Sequence, residues 1–324
     1  MIEYKLKTIP EDFKVTEFPN LSVDMNGRIR CYILIKSGIT TFDAIDILAQ
    51  KYNLKKKEIG YAGLKDEEGI TIQYISYEGV IENAKIILDN DCYIIIEYFA
   101  NLSKHIRPGN LYGNGFGIVI RGLDKKLLEN LSYRKKNYYF LNYFDSQRFG
   151  LPGKKHVTHL LGEAIHNNDD ILVKKYCLEG EQTVTLEEIY KQDNINKKVF
   201  FLNSWRSFLW NSNIKEKIIS EIKEYDIFTE SGIDFYILTQ DALRNNVDEL
   251  EQCRYISQYI LDNKNNEKII SNYRDVVRHT TVYIDTIDDD DIYQGKLKIQ
   301  LHFSLEKGSY ATMLIKHFIK EEMG

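Results

Sequence analysis

Hydrophobic and polar residues alternate through much of the first 120 residues, a pattern that predicts strands. Within the segment 28–38, one side carries Ile29, Cys31, Ile33 and Ile35, as expected of a strand with one buried face. The predicted strands are 13–18, 28–38, 59–63, 70–77, 92–100 and 116–121.

Helical periodicity first appears after the second strand, where Thr40 or Thr41 is placed to cap a helix. From about residue 155 the pattern becomes mainly helical. The alternating segment 296–305 then returns to a strand, and a last helix follows with Ser309 as its predicted cap. The buried stripe of the first helix is predicted to be Phe42, Ile45, Leu48 and Ala49.

Strands at both ends of the chain, with helices between them, predict an α+β fold. We expect a sheet-containing domain interrupted by a mainly helical insertion domain. The expected domains are 1–154 together with 279–324, and the insertion 155–278.

Composition indicates the cellular environment of the protein more clearly than the reaction it could carry out. No apolar run is long enough to cross a bilayer, and the N-terminus lacks the apolar core of a signal peptide. The four cysteines are scattered without a C-x-x-C pair, which favours reduced thiols in a cytoplasmic protein. The net charge is −5, yet residues 1–155 carry 23 lysines and arginines against 19 acids. A polyanion would therefore bind the N-terminal part.

Two short stretches have the residue types for chemistry. The first, GYAGLKDEEGITIQ at 60–73, is compatible with a solvated charged turn between strands, although its small residues also permit close approach of a ligand. The second, LNYFDSQRFGLPGKK at 141–155, is compatible with an aromatic loop on the core or with a stacking face for an unstacked RNA base. A third, FSLEKGSYATMLIK at 303–316, is compatible with an ordinary helix cap or a phosphate-facing helix end.

Taken together, these stretches resemble a known family. GYAGLKD…TIQ, NYFDSQRFG and GSYAT, in this order, are similar to the signature blocks of the TruD family of tRNA pseudouridine synthases. LKTIPEDFKVTE at 6–17, GNGFGIVIR at 113–121 and RSFLWN at 206–211 resemble three further blocks. The resemblance implies a pseudouridine-synthase-like fold, with a mixed, largely antiparallel sheet and flanking helices. It also implies isomerisation of a tRNA uridine, typically uridine 13, without cofactor or metal.

The resemblance also implies roles for individual residues. Asp66 would be the catalytic carboxylate, and Lys7 the basic partner near it. Asn142 and Phe144 would position the uracil base and stack on it. It further implies a monomer that needs no protein partner and no membrane.

The reaction requires these residue types. The N1–C1′ bond must break, the uracil must turn while held, and C5 must bond to C1′. An ionised carboxylate can act as a nucleophile or can remove a 2′ proton to give a glycal, and a nearby cation favours the ionised form. A flat ring and an amide can hold the detached base, which must first leave its helix.

Contacts to RNA are expected mainly at phosphates. Other basic candidates are Lys55–Lys57 and Arg134–Lys136, any of which could instead be simply solvated. The predicted RNA-binding residues are Lys65, Gln73, Arg148, Lys154, Lys155 and Arg206.

The sequence departs from the family pattern at a few positions. Glu67 and Gly69 replace a basic residue and an alanine, and the turn ending at Gly308 lacks a proline. We expect Glu67 and Glu68 to face solvent; these departures leave the target RNA and the catalytic efficiency open. The alternatives are a tRNA-binding or tRNA-folding protein that uses the same fold without catalysis, or a pseudouridine synthase that acts on a different RNA.

Three histidines lie on a predicted helix, namely His156, His159 and His166. Positions 156 and 159 share a face, but only Glu163 stands at a spacing that could complete a metal site. We therefore expect histidines on the helix surface and no metal.

Overall fold

The computed structural model describes residues 3–65, 67–88, 92–128, 131, 134–150, 154–181, 185, 189–191, 195–262 and 264–324. The chain forms two compact units. Unit 1 consists of Met1–Asn137, Thr280–Ser309 and Met323, and unit 2 consists of Tyr138–His279, Tyr310–Glu322 and Gly324. The assignment of a catalytic and an insertion role to 1–154 with 279–324 and to 155–278 stays a prediction.

The secondary structure follows the predicted order of strands, helices and strands. The strands are β1 (Phe13–Pro19), β2 (Ile29–Ser37), β3 (Gly60–Tyr61), β4 (Ile70–Tyr77), β5 (Ala84–Ile87), β6 (Tyr93–Leu102), β7 (Leu111–Leu123), β8 (Lys135–Leu141), β9 (Asp226–Glu230), β10 (Ile233–Ile237), β11 (Tyr255–Leu261), β12 (Glu267–Tyr273), β13 (Val277–Asp289) and β14 (Leu297–Glu306). The helices are α1 (Thr41–Tyr52), α2 (Lys125–Leu128), α3 (Thr158–His166), α4 (Asp170–Glu179), α5 (Ile195–Lys217), α6 (Gln240–Asn245), α7 (Val247–Glu251) and α8 (Ala311–Met323).

Unit 1 is built on a mixed, largely antiparallel sheet, which confirms the predicted fold class. Its strands follow the order β5-β6-β2-β4-β1-β7-β14-β13, and β3 pairs with β4. The pair β1–β4 is parallel, whereas β1–β7, β7–β14 and β13–β14 are antiparallel. Strands β1 and β4, which are not consecutive in the sequence, thus lie side by side, and β4 begins directly after the stretch 60–69.

Helix α1 packs on one face of this sheet. Thr40 caps it by accepting a hydrogen bond from the Asp43 amide, as predicted. The core beneath the helix contains Tyr32, Leu34, Ile45 and Leu48. The predicted helix stripe is wrong at Phe42, whose side chain is exposed because α1 turns it away from the sheet.

The predicted buried face of the second strand is only partly correct. Ile33 and Ile35 are half-buried, whereas Tyr32, Leu34 and Lys36 on the opposite face are fully buried. Helix α1 covers the face that carries Tyr32, Leu34 and Lys36, and this face is therefore the more completely buried one. A lysine therefore lies inside the core of unit 1.

Unit 2 combines helices with short strands. Leu161 and Ile165 of α3 pack with Phe201 and Leu202 of α5 in one core. The hairpins β9–β10 and β11–β12 lie within the middle of the chain, where the sequence pattern predicted helices. Their alternating segments are short, five to seven residues, and stand between longer helices.

Two further predictions are corrected in unit 2. Helix α8 begins at Ala311 with Tyr310 at its N-cap, so Ser309 is not the cap. His159 is buried and stacks on Phe208 with ring centroids 4.3 Å apart, so it does not lie on the helix surface as predicted. Aromatic neighbours in α5 cover this ring, and the sequence of α3 alone gives no sign of them.

Within the part of the chain that the structure describes, no helix is long and apolar enough to cross a membrane. The four cysteines, all within the described residues, form no disulfide bond.

Candidate functional site

Asp66, the predicted catalytic carboxylate, lies outside the described residues, but the residue before it is fixed at three points. The Lys65 amide donates to Thr41 Oγ1 at 3.0 Å. The Lys65 carbonyl accepts from Lys36 Nζ at 3.3 Å, and Lys65 Nζ reaches Glu17 Oε2 at 2.6 Å. Lys65, the residue that precedes Asp66, is therefore held at its own N–H by Thr41 and at its C=O by Lys36.

These contacts are shielded from water. The side chain of Lys65 is 7% exposed and that of Glu17 is 0% exposed. The reading of 60–73 as a solvated charged turn is thus wrong for Lys65. Because a buried charge is costly unless it is paired, Glu17 and Lys65 depend on each other for their burial. Glu67 and Glu68 are exposed, as expected.

A short chain of hydrogen bonds continues from Lys65 to Gln73. Thr41 Oγ1 accepts from the Lys65 amide, so its hydrogen is available to Gln73 Oε1 at 2.9 Å. This bond directs Nε2 of the fully buried Gln73 away from Thr41, and Nε2 has no partner within the described structure. The same holds for Oγ1 of Thr71, two residues earlier on the same face of β4. Unpartnered buried polar groups are rare in native structures, and a catalytic role is one of the explanations for them.

Lys7 lies in a strained backbone conformation, with φ at 54°. Its Nζ is 3.3 Å from Glu68 Oε2 and 4.5 Å from the centre of the Phe13 ring. Residues held in this region of φ are frequent at functional sites. That Lys7 stands beside the carboxylate of Asp66 stays a prediction.

The segment that carries Lys7 is anchored on both sides. Before it, Lys5 exchanges backbone hydrogen bonds with Arg121 of β7. After it, the buried Arg121 side chain binds Asp12 at 2.8 Å and Asp290 at 3.0 Å. The opening block is therefore tied to the central sheet of unit 1.

In unit 2 the backbone of Phe144, the predicted stacking residue, is also held by hydrogen bonds. The Phe144 amide donates to Asn211 Oδ1 at 3.0 Å, and the Phe144 carbonyl accepts from Asn211 Nδ2 at 2.8 Å. Trp210 and Tyr310 stand edge-on to the ring, with centroids 5.6 and 6.3 Å away. Asn211 fixes the backbone of Phe144, while the two rings fix its side chain.

Arg274 lies on the face of this ring. Its guanidinium carbon is 4.0 Å from the centre of Phe144, and it donates to the Asn142 carbonyl at 2.7 Å and to Asn142 Oδ1 at 3.1 Å. Burial lowers the pKa of Arg274 to about 10. Asn142 is fully buried, and its Nδ2 donates to the Asp275 carbonyl. Asn142 thus holds Arg274 against Phe144; a contact between Asn142 and a base stays a prediction.

The predicted RNA-binding residues of unit 2 are two arginines that pack on aromatic rings and two lysines that are exposed. Arg148 lies over the Phe200 ring at 5.1 Å, and burial lowers its pKa. Arg206 stacks on Trp205 at 4.6 Å, and its buried Nε has no partner in the described structure. Lys154 and Lys155 are exposed and pair with Glu181 and Glu179 respectively.

The structure therefore groups Lys7, Lys65 and Gln73 in unit 1, and the remaining described candidates in unit 2. Five supporting residues were not predicted from the sequence. Four had a signal: Glu17 and Asn211 stand in the blocks 6–17 and 206–211, Thr41 in the cap, and Lys36 within an apolar strand. The five residues are Glu17, Lys36, Thr41, Asn211 and Arg274. Among the described residues, no group of His, Cys, Asp or Glu is arranged to hold a metal ion.

Comparison with known proteins is consistent with this arrangement. The sequence model described as tRNA pseudouridine synthase D (TruD) matches residues 1–194. The chain is 29% identical to the "Probable tRNA pseudouridine synthase D 1" of Methanococcus maripaludis over 96% of this chain and 98% of that protein. It is 24% identical to the tRNA pseudouridine synthase D of Aquifex aeolicus over 97% and 98% of the two chains.

A solved structure shows the same fold. It is that of a candidate tRNA pseudouridine synthase D from Methanosarcina mazei, which superposes with a TM-score of 0.60 at 19% identity. The superposition covers 98% of this chain and 94% of that one.

Proposed function

Because the chain belongs to the tRNA pseudouridine synthase D (TruD) family, we propose that it isomerises a uridine of tRNA, at position 13, to pseudouridine, with Asp66 as the catalytic carboxylate. The observation that supports this most is the hold on Lys65, whose N–H, C=O and Nζ each have a buried partner. A side chain one peptide further along can then be presented with little freedom, as catalysis by a positioned group requires.

The chemistry begins with rupture of the N1–C1′ bond and ends with a C5–C1′ bond and loss of the C5 proton. Asp66 either attacks as a nucleophile or removes the 2′ proton, and both roles need the ionised carboxylate. Lys7 is the cation that we assign to favour that form. Lys36 adds a second positive charge within hydrogen-bonding distance of the Lys65 carbonyl.

Phe144 is assigned to stack on the uracil, which stays bound while it turns. An aromatic face suits this step, since it holds a flat base without fixing its rotation in the plane. Arg274 lies on one face of the ring, so the base is expected on a surface of Phe144 that this guanidinium leaves uncovered. Asn142 acts in this proposal by holding Arg274 in place, besides its predicted contact to the base edge.

The remaining assignments follow the same proposal. The enzyme needs no cofactor or metal, works as a cytoplasmic monomer, and contacts tRNA phosphates through Arg148, Lys154, Lys155 and Arg206. RNA-binding roles for Lys65 and Gln73 also stay proposals. The catalytic domain is assigned to 1–154 and 279–324, and the insertion to 155–278.

The decisive experiment compares Asp66→Asn with Glu67→Gln on an unmodified tRNA transcript. Both changes replace a carboxylate by an amide of the same size, one residue apart. We expect Asp66→Asn to abolish pseudouridine formation with RNA binding retained, and Glu67→Gln, an exposed neighbour, to retain conversion.

Pseudouridine is measured by chemical mapping at single-nucleotide resolution, which also identifies the target uridine. Conversion by the Asp66→Asn protein would exclude the proposed mechanism. Binding of RNA without any conversion by the unaltered protein would favour the alternative of a non-catalytic tRNA-binding protein.

A further inference from the structure

Unit 1 carries a cavity that the proposed function does not use. It has a volume of about 730 Å³ and lies across β1, β7, β14 and β13. We name it the glycine trough, defined by Lys14, Thr16, Phe18, Tyr283, His302 and Ser304 around Gly115 and Gly117.

The glycine trough lies on the sheet face opposite to the one that holds Lys65. Successive side chains of a strand point to opposite faces. Glu17, the buried partner of Lys65, stands between Thr16 and Phe18 on β1. Thr16 and Phe18 therefore project away from that ion pair, into the trough.

Two glycines allow aromatic rings to lie down over the sheet here. A Cβ added to Gly115 would stand 2.9 Å from Phe18 Cζ, and one added to Gly117 would stand 3.1 Å from His302 Cε1. No larger residue fits beneath these rings in their present positions. Phe18 remains 41% exposed and Tyr283, across from His302, 46% exposed. Aromatic side chains are thus available at both sides of the trough.

Positive charge and hydroxyl groups surround these rings. Lys14 is exposed on β1, and Lys135 Nζ lies 5.2 Å from the centre of the Tyr283 ring. An acid, Asp285, also borders the trough, and its Oδ2 lies 3.5 Å from His302 Nε2. Thr16 and Ser304 add hydroxyl groups. This set of cations, rings and hydroxyls complements a phosphate backbone with unstacked bases.

A protein strand or an apolar surface suits this face less well. Strands β1, β7 and β14 are each paired on both sides, so they offer no free edge to which a strand could add. Besides the exposed rings, the lining of the trough includes the polar side chains of Lys14, Thr16, His302 and Ser304, which an apolar partner would leave without hydrogen bonds.

We propose that the glycine trough binds a short unpaired stretch of RNA, with bases stacked on Phe18 and Tyr283 and phosphates beside Lys14 and Lys135. The inference takes RNA as its ligand from the proposed function, but it concerns a second surface on the far side of the sheet. Its role is to add affinity for substrates that carry an unpaired segment.

The test measures binding of a labelled single-stranded hexaribonucleotide, with an RNA hairpin lacking unpaired ends as the comparison ligand. We expect Phe18→Ala and Tyr283→Ala each to weaken hexamer binding by roughly tenfold, the order contributed by one base–aromatic stack. The matched control is Tyr98→Ala, since Tyr98 is also 46% exposed but lies on β6 outside the trough. A third variant, Gly115→Val, should weaken binding in the same direction because it displaces the Phe18 ring.

Each variant is also assayed for its thermal midpoint and for conversion of saturating tRNA. The expected result is an unchanged midpoint for the two alanine variants and unchanged turnover, with loss confined to hexamer binding. Equal hexamer binding by the unaltered protein and both alanine variants overturns the inference. So does a change of oligomeric state in those variants, which would assign the trough to a second copy of the chain.

Failure of the proposed function gives a different pattern. In that case the unaltered protein converts no uridine in any RNA, while hexamer binding still depends on Phe18 and Tyr283.

Discussion

Lys65 in unit 1 and Phe144 in unit 2 are both held by hydrogen bonds to their backbone, but the partners are partly charged at Lys65 and neutral at Phe144. Each has a partner for its backbone N–H and one for its C=O. At Lys65 the partners are two residues, Thr41 and the buried cation of Lys36, and a third contact pairs its own charge with Glu17. At Phe144 a single neutral amide, that of Asn211, serves both groups.

The difference matters for what each clamp can tolerate. Removing one member of a buried ion pair leaves an uncompensated charge and costs about 3–5 kcal/mol. Removing a neutral partner leaves an unsatisfied N–H or C=O, at about 1–3 kcal/mol. Unit 1 thus fixes its loop with a rigid but fragile set of charges, and unit 2 fixes its ring with a weaker, more tolerant contact.

The largest effect is expected for Glu17→Ala. Lys65, 7% exposed, would keep its charge without a partner, and we expect the free energy of unfolding to fall by about 3–5 kcal/mol. Conversion of tRNA should be lost with it, because the loop that leads into Asp66 loses one of its holds. Chemical denaturation and single-turnover conversion are the measurements.

The matched control is the double variant Glu17→Gln with Lys65→Met, which removes both charges. Stability should return most of the way toward that of the unaltered protein, since neither member of the ion pair is left buried without its partner, while conversion stays impaired. The single variants Glu17→Gln and Lys65→Met complete the comparison. If the stability loss of the double variant equals the sum of their two losses, the ion pair is not coupled, and the contrast with unit 2 fails.

Acid should act on unit 2 through two buried histidines. His317 accepts from the Leu141 amide through Nε2 and lies 2.9 Å from the Met313 carbonyl through Nδ1, an arrangement that needs the neutral ring. Burial lowers the pKa of His317 to about 4 and that of His159 to about 4. The unfolded chain binds protons to both near pH 6.5.

Because the folded pKa values lie below the unfolded one, the stability from both histidines is complete above pH 6.5 and is lost as pH falls toward 4. Each group contributes about 2 kcal/mol of loss by pH 5 and about 3 kcal/mol at its limit. Hydrogen exchange at pH 7 and pH 5, corrected for intrinsic rates, should show weaker protection in unit 2. His159→Phe keeps the stacking and should reduce the pH slope; an unchanged slope contradicts the assignment.

How far the sequence predicts these two regions differs as well. The strands, the α1 cap and the α+β class follow from local alternation and periodicity, which are properties of neighbouring residues. The clamp on Lys65 joins residues 17, 36, 41 and 65, and it depends on strands that become neighbours only in the folded sheet. Lys36 shows the limit well: its place in an apolar strand is visible, but its carbonyl partners are not.

In unit 2 the limit is one of side-chain direction. The stretch 141–150 contains aromatic and polar residues, but it has no helical or strand periodicity from which their burial could be predicted. Tyr143 and Phe149 turned out fully buried, and Phe144 half-buried. Arg274 lies 130 residues further along, in a segment without any motif, and only the fold brings it onto the Phe144 ring.

The smallest effect is expected for Asn211→Ala, which removes both partners of the Phe144 backbone. We expect a loss of about 1–3 kcal/mol in the free energy of unfolding, because Phe144 is only half-buried and water can replace part of what its two backbone groups lose. Conversion should fall by roughly tenfold, because a stacking ring displaced by a fraction of an ångström still offers its face, whereas a displaced carboxylate does not reach its atom. Asn211→Asp keeps the acceptor for the Phe144 N–H but loses the donor to its C=O, and it places an unpaired carboxylate at a buried position. Its loss should therefore exceed that of Asn211→Ala. A loss for Asn211→Ala as large as that of Glu17→Ala would show that a neutral clamp is as fragile as an ionic one.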